Sequence, residues 1–525
     1  MKTMVDGYKS YEEAWEKFRW NQRWEFFDGN EENFNIAHEC VDRHPRDKVG
    51  IRIQTDDDGK KIYTFGEFSD AVAQFANYLK TMGIEFGDAV AVLLPPCFEF
   101  YVGMFGVFKR GAIVIPCSPQ FGPEAISFRV KNGGAKVVLT TKDKANLVEE
   151  DLREKLNLKI IFAEDLLQNM ADQPKEFKET TTASDLAMYQ FSSGTTGEPK
   201  AVNYRHGAIT VSAPFMKFAQ GIRSDDSYFC PSSPAWGHGI WYGTIAPLIF
   251  GTAVGTYSYK GKFNPDRCLE AMQDFKATNV AAISSHYRLM INSPNIDNYD
   301  IHLKRLTYTG EPMSKDVFKS IQEKWGVTPH GQYGTTEVGP ITSDFAGFEN
   351  WKVKQGSLGK PSIGSIVSVI DEDGNEVPVG TVGQMAIKRN NKWIRVGDMV
   401  YKDEDGYFWY VSRADDVIIS SGYTIGPLEI EATLLKYEAV DECAVVASPD
   451  RDRGTIVKAF IVCKEGYTPG EELDGKIREF VKDKLSKHEY PREIEFVDEL
   501  PKTPDGKIRR KVLKELELER KKDQL

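Results

Sequence analysis

A ten-residue stretch rich in glycines and hydroxyl groups stands out in the 525-residue chain. It runs from Phe191 to Lys200 with the sequence FSSGTTGEPK and offers almost nothing that could pack in a core. Glycines let backbone N–H groups converge on an anion, and the hydroxyls and one ammonium group add further donors. The stretch therefore predicts a phosphate-binding loop, although such clusters are also typical of plain surface loops.

The spacing of this stretch differs from that of the common nucleotide P-loop. The P-loop has four residues between its glycines and a Lys followed by Ser or Thr directly after the second glycine. Here Gly194 and Gly197 are three positions apart, and Lys200 is followed by Ala201.

A second polar stretch, YGTTEVG, runs from Tyr333 to Gly339 and carries an aromatic ring, two hydroxyls and one carboxylate. A nucleotide site uses a ring to stack on the base, a hydroxyl to contact phosphate and a carboxylate to hold the metal. Taken alone, the same residues are equally compatible with a polar turn.

Two single residues are candidates for substrate contacts. Asp398 follows a glycine, and a carboxylate can hold a ribose by accepting two hydroxyl hydrogen bonds, although a turn Asp is the commoner reading. Lys507 follows the turn residues Pro504-Asp505-Gly506, which would aim its side chain. A cation held near developing negative charge in a dry site stabilises a transition state by several kcal/mol.

The segment from Ser233 to Trp241 combines two tryptophans with spaced glycines, which suits an apolar slot for a substrate. No Lys, Arg, Asp or Glu occurs between 227 and 259, so an amino-acid substrate would lack an obvious counter-ion there. Ordinary core packing is the alternative. His206 and His238 have no partner at metal-ligand spacing, so we assign neither as a ligand.

Short continuous apolar strands alternate with helices over roughly the first 360 residues, which indicates parallel α/β layers. The predicted strands include 89–94, 112–116, 136–140, 159–162, 279–283 and 305–309. Gly310, Glu311 and Pro312 directly follow the last of these, and ligands of α/β proteins bind at the carboxyl ends of strands.

After about Lys360 the pattern changes to strands separated by Asp-Gly and Pro-Gly turns, which predicts antiparallel hairpins. The residues after Asp415 alternate helices with strands and read as α+β. We therefore predict an α/β protein with a large domain, 1–414, of layered α/β subdomains plus a β-rich subdomain. A small α+β domain, 416–525, would follow it.

Length and composition restrict the function classes. The length suggests two or three domains, and a net charge of −11 gives no support for nucleic-acid binding. Seven cysteines without a CxxC pair make zinc sites and a disulfide framework improbable. We find no signal peptide and no apolar run of membrane-spanning length, so we expect a cytoplasmic protein without integral membrane association.

In their order along the chain these motifs resemble those of the acyl-adenylate-forming enzymes, which include acyl-CoA synthetases, peptide-synthetase adenylation domains and firefly luciferase. The resemblance covers essentially the whole chain. It is greatest for medium-chain and aromatic acid:CoA ligases, a subgroup supported by KQGSLGKP at 354–361. It implies that ATP activates a hydrophobic carboxylic acid (medium-chain, branched, alicyclic or aromatic) to acyl-AMP. Transfer to CoA then gives acyl-CoA, AMP and pyrophosphate, with Mg²⁺ as the metal.

The resemblance also implies roles for single residues. Those that would bind ATP or AMP are Ser192, Ser193, Gly194, Thr195, Thr196, Gly197, Lys200, Gly310, Glu311, Pro312, Tyr333, Thr336, Asp398 and Arg413. Thr336, Glu337 and Lys507 would be catalytic, with Glu337 holding Mg²⁺. Val396 stands where the family has Thr before Gly-Asp, a departure that matters little if Asp398 binds the ribose.

The remaining implied roles concern the acid, CoA and domain rotation. Trp236, Gly237, His238 and Gly339 would form the acyl pocket. Ser421, Gly422 and Tyr423 would line the CoA tunnel, and Asp415 would be the hinge of a mobile small domain.

Two other functions stay open at this point. The first is transfer of the acyl group to a carrier protein, which would be a separate partner because the chain has no Gly-Gly-x-Ser carrier segment. The second is a non-catalytic nucleotide-binding regulator, against which Glu337 and Lys507 argue. The expected partners are a small-molecule carboxylic acid, ATP and CoA, with a homo-oligomer left open and no nucleic acid.

Overall fold

A computed structural model describes residues 7–56, 59–192, 200–259, 261–335, 338–416, 418–420, 423–450, 454–485, 490–502 and 508–522. The chain divides into two compact units, Met1–Ser365 and Ile366–Leu525. The hairpin strands after Lys360 fall in the second unit by this division. The proposed domain boundary and hinge at Asp415 stay predictions.

The described part of the first unit consists of strands β1 to β15 and helices α1 to α12. In chain order the strands are Val49–Thr55, Lys60–Thr64, Ala89–Leu93, Ile113–Cys117, Ala135–Thr140, Lys159–Phe162, Leu186–Ser192, Lys200–Arg205, Tyr228–Phe229, Val254–Ser258, Asn279–Ile283, Arg305–Thr309, Pro329–Thr335, Gly339–Ser343 and Lys360–Pro361. The helices are Tyr11–Lys17, Phe65–Thr81, Phe98–Arg110, Pro123–Asn132, Glu150–Leu156, Ala163–Asn169, Ala208–Phe218, Gly237–Ile240, Ala246–Ile249, Pro265–Asp274, Ser284–Ile291 and Lys315–Trp325.

Two six-stranded sheets dominate this unit. In the first, with order β6-β5-β3-β4-β7-β8, all neighbours run parallel except the antiparallel pair β7–β8. In the second, with order β15-β14-β13-β12-β11-β9, strands β9, β11, β12 and β13 run parallel, whereas β14 and β15 pair antiparallel. A smaller sheet has the order β10-β1-β2. The predicted parallel α/β layers are thus present.

Local sequence explains why these elements form. Every residue of β3 is buried, as expected for a continuous apolar run in a parallel sheet. Helix α2 begins with a capping box between Thr64 and Glu67. A Cβ added at Gly106 of α3 would lie 2.6 Å from the ring of Phe75 in α2, so this glycine lets the two helices pack closely.

The second unit has strands β16 to β24 and helices α13 to α15 in its described part. The strands are Val367–Ile370, Gly383–Arg389, Lys392–Lys402, Phe408–Arg413, Ile418–Ser420, Tyr423–Ile425, Val440–Asp450, Gly454–Cys463 and Glu493–Phe496. The helices are Pro427–Leu434, Glu471–Lys484 and Arg510–Arg520. Strands β16 to β19 form an antiparallel sheet in chain order, and β22-β23-β24 form a second sheet that packs with α13 and α15. Both the predicted hairpins and the predicted α+β segment are present.

Asp398 lies in a strand, and its local structure differs from the turn that its sequence suggests. The segment around Asp398 reads as a turn, yet it lies inside the eleven-residue strand β18. Gly397 has φ +88°, and the pairing of β18 with β19 shifts register between Met399 and Val400. A bulge beside a glycine therefore replaces the turn. Among the described residues, we find no helix that is both long and apolar enough to cross a bilayer.

A buried carboxylate ties β13 to the end of β14. Asp344 is 1% exposed, and its two oxygens accept hydrogen bonds from the Gly331 N–H and the Trp351 indole N–H, each at 2.9 Å. Burial raises the pKa of Asp344 to about 7, although both hydrogen bonds act in the opposite direction.

This shift predicts a pH dependence of stability that Asp344→Asn removes. The unfolded chain has an Asp pKa of about 3.9 and loses the proton first as pH rises. The Asp344 contribution to the free energy of unfolding is therefore complete below about pH 4 and is lost as pH rises toward 7, by at most about 1.4 kcal/mol per pH unit. The midpoint of denaturant unfolding of Asp344→Asn should therefore rise relative to that of the wild type between pH 5 and pH 7. A difference between the two proteins that stays constant with pH would contradict the raised pKa.

Candidate active site

The predicted phosphate loop connects β7 to β8. Ser192 ends β7 and Lys200 begins β8, and these two residues pair directly in the antiparallel ladder. The predicted loop residues Ser193, Gly194, Thr195, Thr196 and Gly197 lie outside the described residues. Because β7 belongs to the parallel part of its sheet, the loop begins at a carboxyl strand end, the edge where α/β proteins bind ligands.

Gly310, Glu311 and Pro312 occupy the equivalent edge of the second sheet, directly after β12. Gly310 has φ +93°, a conformation that favours glycine. The Ser284 hydroxyl, at the start of α11, donates to the Glu311 carbonyl oxygen at 2.7 Å. Oε1 of Glu311 is buried and has no hydrogen-bond partner among the described residues. A buried, unsatisfied acceptor at a strand end suits a polar ligand.

The neighbouring strand β13 leads into the second polar motif. The Thr309 hydroxyl donates to the carbonyl oxygen of Gln332 at 2.8 Å, which joins the carboxyl end of β12 to the middle of β13. Thr335 pairs with Gly339 across the β13–β14 hairpin, and a Cβ at Gly334 would overlap the Gly339 carbonyl oxygen. Thr336 and Glu337 lie outside the described residues. Tyr333 is partly buried on β13.

The proposed acyl pocket begins after β9. A Cβ at Gly239 would overlap the Ser233 carbonyl oxygen, so glycine is required for this tight return of the chain. Nδ1 of His238 lies 2.8 Å from the Ser232 hydroxyl, and the imidazole stacks on Tyr242 with 5.1 Å between ring centroids. Burial, and then the charge of His286, lower the pKa of His238 to about 3. The ring is therefore neutral at physiological pH.

Gln190 of β7 connects this proposed pocket to the strand that leads into the phosphate loop, and it directly precedes the stretch that begins at Phe191. The Trp241 indole N–H donates to Gln190 Oε1 at 3.4 Å, and a Cβ at Gly237 would lie 2.9 Å from Gln190 Nε2. Trp236 is 42% exposed, and its ring packs edge-to-face with the ring of Phe121, with 5.3 Å between the ring centroids. The segment predicted to form the apolar slot therefore contacts β7, the strand that leads into the predicted phosphate loop.

His286 is a candidate site residue that the sequence analysis missed. It lies on α11, three residues after the carboxyl end of β11, and is 8% exposed. Its ring stacks on Phe263 with 4.3 Å between centroids, and Nδ1 is buried without a partner among the described residues. Burial lowers its pKa to about 4. Its position after a predicted strand was the available signal.

The second unit brings together the two predicted ribose contacts. Asp398 of β18 pairs in register with Arg413 of β19, and Arg413 Nε lies 3.4 Å from Asp398 Oδ1. Asp398 is 5% exposed, whereas the Arg413 side chain is partly exposed. The carboxylate oxygens of Asp398 are hydrogen-bond acceptors of the kind that ribose hydroxyls require, and the Arg413 guanidinium beside them offers donors.

Two of the other predicted residues of this unit lie in described elements. Asp415 lies in the 3₁₀ turn Ala414–Asp416, and Tyr423 begins β21. Ser421, Gly422 and Lys507 lie outside the described residues. Across the part of the chain that is described, we find no group of three or more His, Cys, Asp or Glu side chains placed to hold a metal ion.

Most of this chain matches known protein families. The sequence matches the family described as AMP-binding enzyme over residues 37–392 and the AMP-binding enzyme C-terminal domain over 429–507. An acetyl-coenzyme A synthetase of Bacillus subtilis (strain 168) is 32% identical over 550 residues, covering 97% of this chain and 95% of that protein.

Two crystal structures resemble the fold over nearly the full length. An acyl-CoA synthetase from Brucella canis is 32% identical with a TM-score of 0.74, covering 98% of this chain and 100% of that one. An anthranilate CoA ligase in complex with anthranoyl-AMP is 25% identical with a TM-score of 0.80, covering 93% of this chain and 98% of that one. The predicted fold class is confirmed, and the chain belongs to the AMP-binding enzyme family.

Proposed function

We infer that the protein is an AMP-forming acid–CoA ligase, with ATP, CoA and a carboxylic acid as its substrates. The observation that carries this conclusion is the contact of Trp241, in the segment proposed to form the apolar slot, with Gln190 of β7, the strand that leads into the proposed phosphate loop. An acid held in that slot would present its carboxylate beside the bound phosphates. The combination suits adenylation better than simple nucleotide binding.

The reaction has two steps. In the first, a carboxylate oxygen attacks the α-phosphorus of ATP, the bond between the α- and β-phosphates breaks, and pyrophosphate leaves. In the second, the CoA thiol loses its proton and attacks the acyl carbon, and AMP leaves with the electron pair. The first step is needed because a free carboxylate is a poor electrophile, whereas AMP is a good leaving group.

We propose that the first unit contacts the nucleotide at the carboxyl edges of its two six-stranded sheets. The unsatisfied Glu311 Oε1, together with the buried and likewise unsatisfied Nε2 of Gln332, supports a polar ligand such as the adenine base beside Tyr333. The Asp398–Arg413 pair supports ribose binding. Ser192 to Gly197 and Lys200 are proposed to contact the phosphates.

Glu337, with Thr336 beside it, is proposed to hold Mg²⁺. A single carboxylate next to hydroxyls and phosphate oxygens is an oxygen-only donor set of the kind that Mg²⁺ prefers. The metal, when bound, supplies neutralisation of phosphate charge. Thr335 and Gly339, which flank Thr336 and Glu337 on either side, pair with each other at the end of β13 and the start of β14.

The proposed acid is hydrophobic and uncharged apart from its carboxylate. The supporting feature is the lining of Trp236, Gly237 and His238, in which the only titratable ring is neutral. Gly339, at φ +81° with open space around its Cβ position, is proposed to border the same pocket. Any side chain there would be strained, so Gly237 is the better position for a test.

The remaining assignments concern domain rotation and cellular setting. We propose that Ser421, Gly422 and Tyr423 line the CoA tunnel. Asp415 is proposed as the hinge about which the small domain rotates, so that Lys507 leaves the site after adenylation and the tunnel residues enter it. A cytoplasmic location is proposed because all seven cysteines are free thiols, which suits a reducing compartment.

A combined assay tests the function against its alternatives. Hydroxylamine trapping should detect acyl-AMP when the protein is incubated with ATP and hydrophobic acids, and CoA should be the acceptor that releases AMP. Turnover with a carrier protein but not with CoA would favour the carrier alternative. Nucleotide binding without any trapped product would favour the regulator.

Lys507→Ala should lose adenylation selectively. Removing one transition-state donor costs about 100-fold or more in rate. Thioester formation from supplied acyl-AMP should stay near wild type, because the lysine serves the first step only. Measuring the two half-reactions separately decides the matter. An equal fall in both would remove the support for two successive conformations.

Gly237→Ala should narrow the acid slot by forcing Gln190 to move. We expect KM for bulky acids to rise roughly three- to tenfold more than KM for acetate. Gly475→Ala in α14 is the control, since no atom lies within 4 Å of its Cβ position. Equal changes for all acids would place the acid elsewhere.

A further inference from the structure

The segment that carries Lys507 is held at both of its flanks. Lys502 and Ile508 form an antiparallel bridge, and the Arg509 N–H donates to the Pro501 carbonyl oxygen at 2.8 Å. The Lys502 ammonium also lies 2.6 Å from Glu442 Oε1 on β22. The residues on either side of 503–507 are therefore fixed to each other and to the sheet.

A second attachment follows directly along the chain. Arg510 begins α15, and its guanidinium binds the Glu431 carboxylate through both Nε, at 2.9 Å to Oε1, and Nη2, to Oε2. A bidentate contact of this kind fixes the plane of the guanidinium as well as its distance. Lys507 precedes Arg510 by three residues, which extend at most about 11 Å.

Glu431 is itself rigidly placed. It is 6% exposed on α13, and its Oε1 also accepts a hydrogen bond from the Val445 N–H of β22 at 2.8 Å. The Glu431 carboxylate thus joins helix α13 to strand β22 and to Arg510, the first residue of α15. Helix α13 begins at Pro427, shortly after the proposed CoA residues 421–423.

The attachment of α15 to the sheet does not depend on this pair alone. At the other end of the helix, Glu517 is fully buried and accepts hydrogen bonds from Lys458 at 2.7 Å and Ser448 at 2.8 Å. Removing one partner of a buried ion pair leaves the other charge uncompensated, so this second attachment contributes to stability. The contact with Glu431 instead lies at the end of α15 nearest to Lys507.

We propose that Glu431, acting through Arg510, is a positioning residue for Lys507 in the adenylation step. The inference rests on the proposed role of Lys507 in that step. Loss of the bidentate contact would leave the fold in place and let the first turn of α15 shift, which would misplace the ammonium group. Misplacement by about 1 Å can cost up to about 100-fold in rate.

A double-mutant cycle with Glu431→Gln and Lys507→Ala tests this proposal on the full chain. We expect Glu431→Gln to slow acyl-AMP formation about 10- to 100-fold, mainly in kcat, with KM values for ATP and acid nearly unchanged. Thioester formation from supplied acyl-AMP should stay near wild type. In the Lys507→Ala background, adding Glu431→Gln should change the residual adenylation rate by less than about twofold.

Glu517→Gln is the matched control, because it removes a buried carboxylate from the other end of the same helix. It should lower the unfolding midpoint while leaving adenylation at permissive temperature close to wild type. If Glu431→Gln fails to fold, Arg510→Lys replaces it, since Lys keeps the charge but cannot form the bidentate contact. Arg510→Lys should show the same loss and the same non-additivity.

The outcomes distinguish a failure of the proposed Lys507 role from a failure of the proposed positioning role of Glu431. An adenylation rate of Lys507→Ala near wild type would overturn the proposed lysine role. If Lys507→Ala is impaired but Glu431→Gln slows both half-reactions equally, or slows Lys507→Ala further by its full factor, the positioning role is overturned while the function stands.

Discussion

Burial of parallel strands on both faces is the constraint on which the rest of the first unit depends. In a strand such as β3, where every residue is buried, no position along the strand can carry a charged side chain. Polar chemistry is therefore displaced to the strand ends. Ser192 ends β7, Gly310 follows β12 and His286 comes shortly after β11, each at a carboxyl end.

Close backbone approach then shapes the spaces at these edges. At Gly239 a Cβ would overlap the Ser233 carbonyl oxygen, and at Gly334 it would overlap the Gly339 carbonyl oxygen. Both tight backbone approaches therefore require glycine. The rings of His238 and His286, both neutral at physiological pH, add no charge to the region of the proposed slot. Geometry and electrostatics thus favour the same class of substrate, an acid whose tail is apolar.

The sequence predicted the elements whose pattern is local. The strands at Asn279–Ile283 and Arg305–Thr309 have the predicted bounds because each is a short apolar run between clear breaks. Asp398 could be picked as a site residue but not placed within a strand, because a bulge depends on cross-strand pairing. His286 and the Glu431–Arg510 pair were missed, since their surroundings come from distant parts of the chain. The roles of residues outside the described ranges, among them Glu337 and Lys507, stay predictions.

The pair of Glu431 and Arg510 also has a consequence during synthesis. The two residues are 79 positions apart, so a ribosome adding about 5 to 20 residues per second adds Glu431 roughly 4 to 16 s before Arg510. During that interval the carboxylate can bond to the Val445 N–H but lacks its cation, and burying it uncompensated is costly. Docking of α13 on β22 should therefore be incomplete in the nascent chain, leaving apolar residues such as Ile430 open to chaperones until Arg510 emerges.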